Sequence, residues 1–469
     1  MKKISKLNIL SIIDIITFII MLYLLLNINI LPTKYLILII VIISIINILS
    51  IIFINIKKKI FKIIGIILII VAIIINIIGT YYLYYANNFL DKSFSYNEKT
   101  VTTYYIVTNK SNNYTKKDIK GDIYYYDNNS IDKALTKIKK EFDVNPKTYD
   151  DAPKMIGDIV NNEIDFILID KNSYNILLTL DNTINSNNFK IIYELDITST
   201  NETSEKTKDA FNIYIGGKDF AGLIDYNAII TVNTKTHEIL MTSIPRDYYM
   251  EIAGTNGKKD SLSHMYAFGE DANELSLEKF FDINIDYNIK VTTESLVELV
   301  DTIGGITYCS DQAYTTTHAL ILNSYDDSGK EKLYVKKGCQ HLNGIETLTV
   351  ARERNAFVGR DRVRQKNCQK IILAIFNKLK STDSFTNYKE ILDSLSNLYT
   401  TTIPKDVVTS IAKDTIDGIE WKFTTQSVDG TDSNNVFIAI LNDYDYAMIP
   451  DMNSVNQAKD KINEVLNNK

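Results

Sequence analysis

The sequence predicts a membrane-anchored α/β protein in three parts: three N-terminal transmembrane helices, a small α/β domain and a larger α/β domain. Three observations predict it. Three apolar runs of about twenty residues open the chain, strand-like and helix-like patterns alternate after them, and two polar breaks separate the parts. At roughly 150 residues per domain, 469 residues leave room for about three. The 51 Lys and Arg against 57 Asp and Glu give a net charge of −6, which argues against a protein that grips nucleic acid through its phosphates. Three Cys and four His are too few and too scattered for a zinc framework.

The apolar runs extend from about Ile9 to Ile30, Tyr35 to Ile56 and Ile60 to Tyr82. Each reaches the roughly 20 residues that a helix needs to cross about 30 Å of hydrocarbon. The first is too long for the core of a cleavable signal peptide. All three are apolar around their whole circumference, unlike helices that cover a soluble core. Asp14 is the one charge inside a run, and it is expected to reach the interface or a neighbouring helix rather than to relay protons. Lys2, Lys3 and Lys6 precede the first span, and Lys57, Lys58, Lys59 and Lys62 separate the second from the third, whereas the loop Leu31 to Lys34 carries only Lys34. The positive-inside rule therefore places the N-terminus in the cytoplasm and everything after the third span outside the cell. Tyr81, Tyr82, Tyr84 and Tyr85 mark the outer interface. The membrane region is set at residues 1–86, with a polar linker over 87–98.

Residues 99–197 read as an extracellular α/β domain. VTTYYIVT (101–108), GDIYYY (121–126) and IDFILID (164–170) are strand-like, and IDKALTKIKKEF (131–142) and APKMIGDIV (152–160) have a helical apolar period. No glycine-rich phosphate loop or triad-like set occurs in it, so catalysis is not its expected task. The polar stretch TSTNETSEKTK (198–208) is a boundary. In the last domain, residues 209–469, FNIYIGG, NAIITVN and EILMTSIP read as strands, with TKTHE as a hairpin turn between the last two. LEKFFDI, ESLVELVDTI and CQKIILAIFNKL read as helices. The tail beyond about Ser381 is expected to add more helices and one strand, WKFTTQSV (421–428).

Candidate chemistry concentrates in an arginine cluster. Lys is the usual base of this chain, yet Arg352, Arg354, Arg360, Arg362 and Arg364 fall within 13 positions. In an extended backbone Arg352 and Arg354 would point to one side. Guanidinium forks suit phosphate oxygens because they bind two at once and stay charged. Upstream stand Asp219 and Asp225, six apart on either side of a turn, and then Arg246 and Asp247 at the end of an apolar strand. Carboxylates beside such a cluster suit Mg²⁺ bridging to a phosphate. The competing reading is a solvated charged surface, neutralised within itself by Glu353 and Asp361. Cys309 and Cys339 flank one insertion, where either a disulfide or two free thiols is open.

These segments resemble a known family. ITVNTKTHEILMTSIPRDYY (230–249), SLSHMYAFG (261–269), LVELVDTIGGI (296–306), KGCQHLNGIETLTVARER (337–354) and RDRVRQKN (360–367) are similar, in order, to the blocks of the LytR-CpsA-Psr (LCP) family. Three spans and an extra α/β domain resemble its capsule-assembly branch. The resemblance implies an α/β domain with a central mixed sheet flanked by helices. It also implies an extracellular Mg²⁺-dependent phosphotransferase, which moves a glycopolymer (capsule, teichoic acid or similar) from an undecaprenyl pyrophosphate carrier to peptidoglycan. By motif, Asp219 and Asp225 would hold Mg²⁺, and Asp225, with Arg246 and Asp247, would make the catalytic centre. Arg246, Arg352, Arg354 and Arg364 would clamp the pyrophosphate.

The chain departs from the family's pattern at four places, the first being a loop from Asp219 to Asp225 that is short compared with many relatives and leaves the metal role of Asp219 open. Leu223 stands where the second aspartate is usually preceded by Arg, Cys368 where Gln is common, and Ser261 where Lys is frequent. Arg360 and Arg362 are candidates to restore the lost charge. Cys368 at a helix start could carry a lowered pKa or could pack as a small hydrophobe. His264 is expected to hold a loop, and Tyr248 and Tyr249 to wall a core or pocket. Two alternatives use the same residues: hydrolysis of the lipid pyrophosphate, and binding of lipid-linked glycans without turnover.

Overall fold

The computed structural model describes residues 6–469 except 57, 95–98, 127–130, 150, 181–185, 201–207, 256, 325–327, 380–388, 390–391, 394, 396–398 and 469. Lys2, Lys3, Lys57 and most of the polar boundary 198–208 thus lie outside the described residues, as does the end of the 87–98 linker. The chain folds into two compact units. One comprises residues 1–96, 383–397 and 403–421, and the other 97–382, 398–402 and 422–469.

The first unit holds helices α1 (Lys6–Ile28), α2 (Thr33–Asn55) and α3 (Lys59–Ser93). All three are long and apolar enough to cross a membrane. The third runs seven residues beyond the boundary expected at 86, so the first half of the expected linker is helix. Backbones approach closely at Gly65, where a Cβ would lie 2.5 Å from the Ile54 nitrogen. Asp14 faces the neighbouring helices rather than lipid, with Ser50 Oγ at 3.5 Å and Asn76 Nδ2 at 3.4 Å from its carboxylate. A further helix, residues 405–416, belongs to this unit. Lys405 pairs with Asp91 and Lys34 with Asp417, and Lys413 donates to Asn29.

The second unit contains both α/β parts. The accessory part runs β1 (Lys99–Asn109), β2 (Gly121–Tyr126), α4 (Ile131–Glu141), β3 (Val144–Tyr149), α5 (Ala152–Val160), β4 (Ile167–Asp170), α6 (Lys171–Leu180) and β5 (Phe189–Thr200). Its sheet order is β3-β2-β4-β1-β5. Alternation along β1 fills both faces: Tyr104 and Ile106 enter one core, Tyr105 and Val107 the other. The second of these cores is shared with the C-terminal part, where Ile176 and Leu177 of α6 join Leu223, Met265 and Phe268. The two expected extracellular domains therefore pack around common apolar residues. Strands β3 and β5 add to the three that the pattern predicts. Pro146 removes a ladder donor from β3, which lies at the sheet edge where that is tolerated.

The C-terminal part begins with β6 (Ala210–Lys218), β7 (Ile224–Asn233) and β8 (Glu238–Ile244), followed by the short pair β9 (Tyr249–Glu251) and β10 (Lys259–Ser261). Helix α7 (Ala272–Phe281), strand β11 (Tyr287–Thr292) and helix α8 (Thr293–Thr302) come next. Strands β12 (Ile306–Ser310), β13 (Tyr314–Ala319), β14 (Lys332–Val335) and β15 (Gly338–Leu342) form two hairpin-like pairs before α9 (Gly344–Arg352) and α10 (Arg360–Leu379). After β16 (Tyr399–Thr401) comes α11, the 405–416 helix above. The chain ends with β17 (Lys422–Ser427), β18 (Gly430–Ile438), β19 (Asp443–Pro450) and α12 (Met452–Asn467). The central sheet is mixed, in the order β16-β11-β6-β7-β8-β17, with β11 parallel to β6 and β17 parallel to β8. The tail differs from the expectation of helices and a single strand: among the described residues it supplies four strands, of which β18 and β19 pair as a ribbon.

Candidate active site

Asp219 follows β6 and organises its own loop. Its Oδ1 accepts the N–H groups of Ala221 (3.0 Å) and Leu223 (2.9 Å), and Gly222 closes the turn at φ +96°. A Cβ on Gly222 would meet Ile176 Cγ1 at 3.5 Å, so the loop lies against α6 of the accessory part. Leu223 is buried in the shared core. The residue that replaces the family's Arg thus faces away from charge and into apolar packing.

Asp225 is the second residue of β7, and Arg246 and Asp247 follow β8 after Pro245. Arg246 bridges them: its Nη1 donates to Asp225 and its Nε to Asp247 Oδ1 at 3.0 Å. Asp247 Oδ2 also receives Arg354 Nη1 at 3.5 Å. Burial alone would raise the Asp225 carboxyl, but Arg246, Arg364, Arg352 and Arg354 together hold it below the usual carboxylate range. Arg364, in the second turn of α10, pairs with Asp361 at 2.5 Å, and both side chains are almost fully buried.

Arg352 is the last residue of α9, not part of an extended segment, so the expected strand-like pairing with Arg354 is replaced by a helix end. Asn343 caps the start of that helix by accepting from the Glu346 N–H, and its own N–H donates to the Glu346 carboxylate in return. At the other end the helix C-terminus favours a cation. Arg352 Nη1 donates to the carbonyls of Ile321 and Leu322, both at 3.2 Å, and its guanidinium lies 6.0 Å from the Phe220 ring centre. Its Nε and Nη2 are buried with no hydrogen-bond partner among the described residues. Two such donors are costly to bury empty, and an anion satisfies both.

The competing reading of a solvated, self-neutralised surface is met in one respect, since Asp361 pairs with Arg364 as it expects, and departs from the structure in two. Arg246, Asp225, Arg364 and Asp361 are largely buried, and Glu353 pairs with no arginine among the described residues. It instead accepts from Thr317 and from the N–H groups of His318 and Ala356, which hold it below the usual range despite its burial. Arg362 does not restore the missing charge, because its guanidinium turns to Asp429 and the Gly430 carbonyl. Arg360 is exposed.

Cys368 lies in the third turn of α10 rather than at a helix start, since the helix begins at Arg360. Burial pushes its thiol up to about 12, which removes thiolate chemistry. Cys309 and Cys339 are disulfide-bonded, directly opposite each other in the β12–β15 pair. Ser261 is buried beneath the Arg246 turn. His264 holds a loop through Asp260, and Tyr248 donates to the Asp429 carbonyl. Sequence reasoning missed Phe220 and Asp429, and named Asp361 as a neutralising partner of the cluster without assigning it to Arg364. Only the i,i+3 spacing of Asp361 and Arg364 offered a signal.

The LytR_cpsA_psr family profile matches residues 174–464. A similar protein is the polyisoprenyl-teichoic acid–peptidoglycan teichoic acid transferase TagU of Bacillus subtilis (strain 168), 34% identical over 218 residues, or 45% of this chain and 66% of that protein. The protein of the same name from Bacillus cereus (strain AH820) is 27% identical over 245 residues, covering 51% and 76%. The crystal structure of B. subtilis TagV matches with 25% identity and a TM-score of 0.46, over 56% of this chain and all of TagV. The profile spans more than half of the chain and takes in the whole arginine–aspartate cluster, together with the loop of Asp219 and the helix that carries Arg352: the chain belongs to the LytR_cpsA_psr family.

Proposed function

We propose that this chain transfers a glycopolymer from a polyprenyl pyrophosphate carrier to peptidoglycan, outside the cell. The observation that carries the reading is Arg352, whose buried Nε and Nη2 lack partners among the described residues, within a cluster of three further arginines. The names of the TagU relatives support the same donor and acceptor classes. The arginines themselves do not choose between a capsule and a teichoic acid polymer, because they bind the diphosphate and not the sugars.

The acceptor hydroxyl oxygen bonds to the phosphorus that bears the glycan, and the bond from that phosphorus to the polyprenyl phosphate oxygen breaks. Arg246, Arg352, Arg354 and Arg364 stabilise charge on the phosphoryl oxygens, which is most of the catalytic work in phosphoryl transfer. Asp225 stays ionised beside them and is able to take the acceptor's proton. Its weak affinity for protons favours a cation-holding role. In this reading Asp219 and Asp225 would hold Mg²⁺, an ion that binds through one or two carboxylates plus substrate oxygens and water. When bound, Mg²⁺ supplies positive charge to the diphosphate oxygens.

Outward orientation has internal support. Helix α11 pairs with the α1–α2 loop and with the end of α3, at one end of the bundle, and the basic residues flank the other.

The test mixes the full-length protein in nanodiscs with a polyprenyl pyrophosphate glycan, peptidoglycan oligomers and Mg²⁺, and identifies products by mass spectrometry. A phosphodiester-linked adduct is expected, reduced roughly 10²- to 10³-fold by Arg352→Ala, the usual loss for one charge-stabilising donor. Free sugar phosphate alone would assign hydrolysis. Bound lipid without product at any Mg²⁺ concentration would assign a binding protein.

A further inference from the structure

The β18–β19 ribbon carries aromatic rings where folding does not require them. Its core face buries Val436, Ile438 and Ala447. The opposite face presents Phe437, Tyr444 and Tyr446, since Phe437 and Tyr444 are cross-strand partners and Tyr446 lies two residues on. Phe437 is 41% and Tyr444 61% exposed, with ring centres 5.7 Å apart in an edge-to-face pair.

This face begins at the phosphate site. Met448 N–H donates to the Asp247 carbonyl at 2.7 Å, and Arg362 fixes Asp429 and Gly430 at the ribbon's start. Tyr446 donates to Asp432 at 3.0 Å, and burial, that carboxylate, Asp247 and Asp361 together raise its phenol above the ordinary tyrosine range. At the far end Tyr249 donates to the Phe437 carbonyl and Asp260 accepts from Ile440 N–H. A cleft of about 330 Å³ opens there, lined by Tyr249, Lys258, Lys259, Phe437 and Asn442. The ribbon is thus fastened at both ends, with exposed rings between.

We propose that this face is a sugar-binding track for the glycan of the donor, and that it takes neutral pyranose units. The inference rests on the transferase reading and names the substrate class of the same site. Pyranose rings present C–H faces that stack on aromatic π-faces, while their hydroxyls donate to carboxylates. Asp432, which accepts from Tyr446 on this face, forms no ion pair among the described residues, so it accepts from hydroxyls and repels a phosphate- or carboxylate-bearing polymer. The donor, rather than the acceptor, is the occupant because its sugars are covalently joined to the diphosphate and must leave the arginine cluster along an adjoining surface.

The experiment has two arms, both with the full-length protein in nanodiscs. In the first, saturation-transfer NMR reads binding of a free neutral N-acetylhexosamine octasaccharide, of poly(ribitol phosphate) and of peptidoglycan glycan strands. The octasaccharide is expected to bind, to lose binding in Phe437→Ala/Tyr444→Ala and in Tyr444→Ala alone, and to outcompete the other two. Unchanged binding in the variants, preference for the polyol phosphate, or stronger binding of peptidoglycan strands would each overturn the track. In the second arm, the same variants are expected to raise KM roughly tenfold for an octasaccharide-bearing lipid pyrophosphate, the scale of a lost aromatic contact. The KM of a monosaccharide-bearing one should be unchanged, and an equal effect on both donors would also overturn it. If no donor is turned over, the transferase reading fails while the binding arm still decides the track.

Discussion

Asp225 and Leu223 stand two residues apart and meet opposite surroundings. Asp225 is held below the usual carboxylate range by four arginines against the effect of burial. Its ionised form therefore stabilises the fold at pH values above the unfolded carboxylate range of about 4, and that stability is lost as pH falls through the lower, folded value. The acid limb of transfer activity is expected below pH ~4 for the same reason. Arg246→Gln removes the largest of the opposing charges and should move that limb upward, which a pH–rate profile of the two proteins reads directly. An unmoved limb would mean that a different group sets it. Leu223, by contrast, packs in the core shared with Ile176 and Leu177. Restoring the family's arginine by Leu223→Arg should not raise activity. It should destabilise the protein by about 3 kcal/mol or more, because the guanidinium would be buried beside apolar side chains without a partner. A thermal melt that stays unchanged would show that the loop can turn the introduced guanidinium outward.

Helix α9 shows how a short element sets the aim of Arg352. The Asn343–Glu346 capping box starts it, and Gly344 lets it approach α8: a Cβ there would sit 2.3 Å from the Val297 carbonyl oxygen and 2.8 Å from the Asp301 carboxylate. Gly344 N–H also donates to Asp301 Oδ1 at 2.7 Å. Alanine is intrinsically the better helix former by about 1 kcal/mol. Gly344→Ala should nevertheless destabilise by about 1–3 kcal/mol, since the backbone of one helix must shift. Transfer should fall with it, as Arg352 moves, and parallel measurement of Tm and kcat tests both. The strands β6, β7 and β8 were readable from their apolar runs, because the core of the sheet buries them. The ribbon was concealed, since its run GTDSNNVFI is mostly polar and its pairing slips between Ser433 and Val436. Strand β17 was legible despite its mainly exposed side chains, because Lys422–Ser427 is rich in β-branched Thr and carries Phe423. The arginine cluster was legible as composition. Its wiring was not, because Asp429 and Phe220 reach it only through tertiary contact.

Across the whole molecule, the chain enters the unit of the three apolar helices three times, through residues 1–96, 383–397 and 403–421. The length of the apolar runs made the first passage readable, since about 20 apolar residues admit few other uses. The last was hidden, because α11 is an ordinary twelve-residue amphipathic helix whose link to α1–α3 rests on single pairs such as Lys34–Asp417 at 2.6 Å. Those pairs make a topological prediction. Residues 405–417 lie in sequence between strands β16 and β17 of the central sheet and contact the loop between α1 and α2, so that loop and the glycan-transferring part are expected on one side of the membrane. The Lys58–Lys59 turn must lie on the other. Single cysteines at Asn434 and at Lys59 test this in intact cells with a membrane-impermeant maleimide. The protein's own cysteines interfere little, since Cys309 and Cys339 are bonded to each other and the Cys368 thiol is pushed up to about 12. Asn434→Cys should label from outside, and Lys59→Cys only after permeabilisation. The reverse pattern would place the arginine cluster in the cytoplasm, away from peptidoglycan, and would leave the transferase reading without an acceptor.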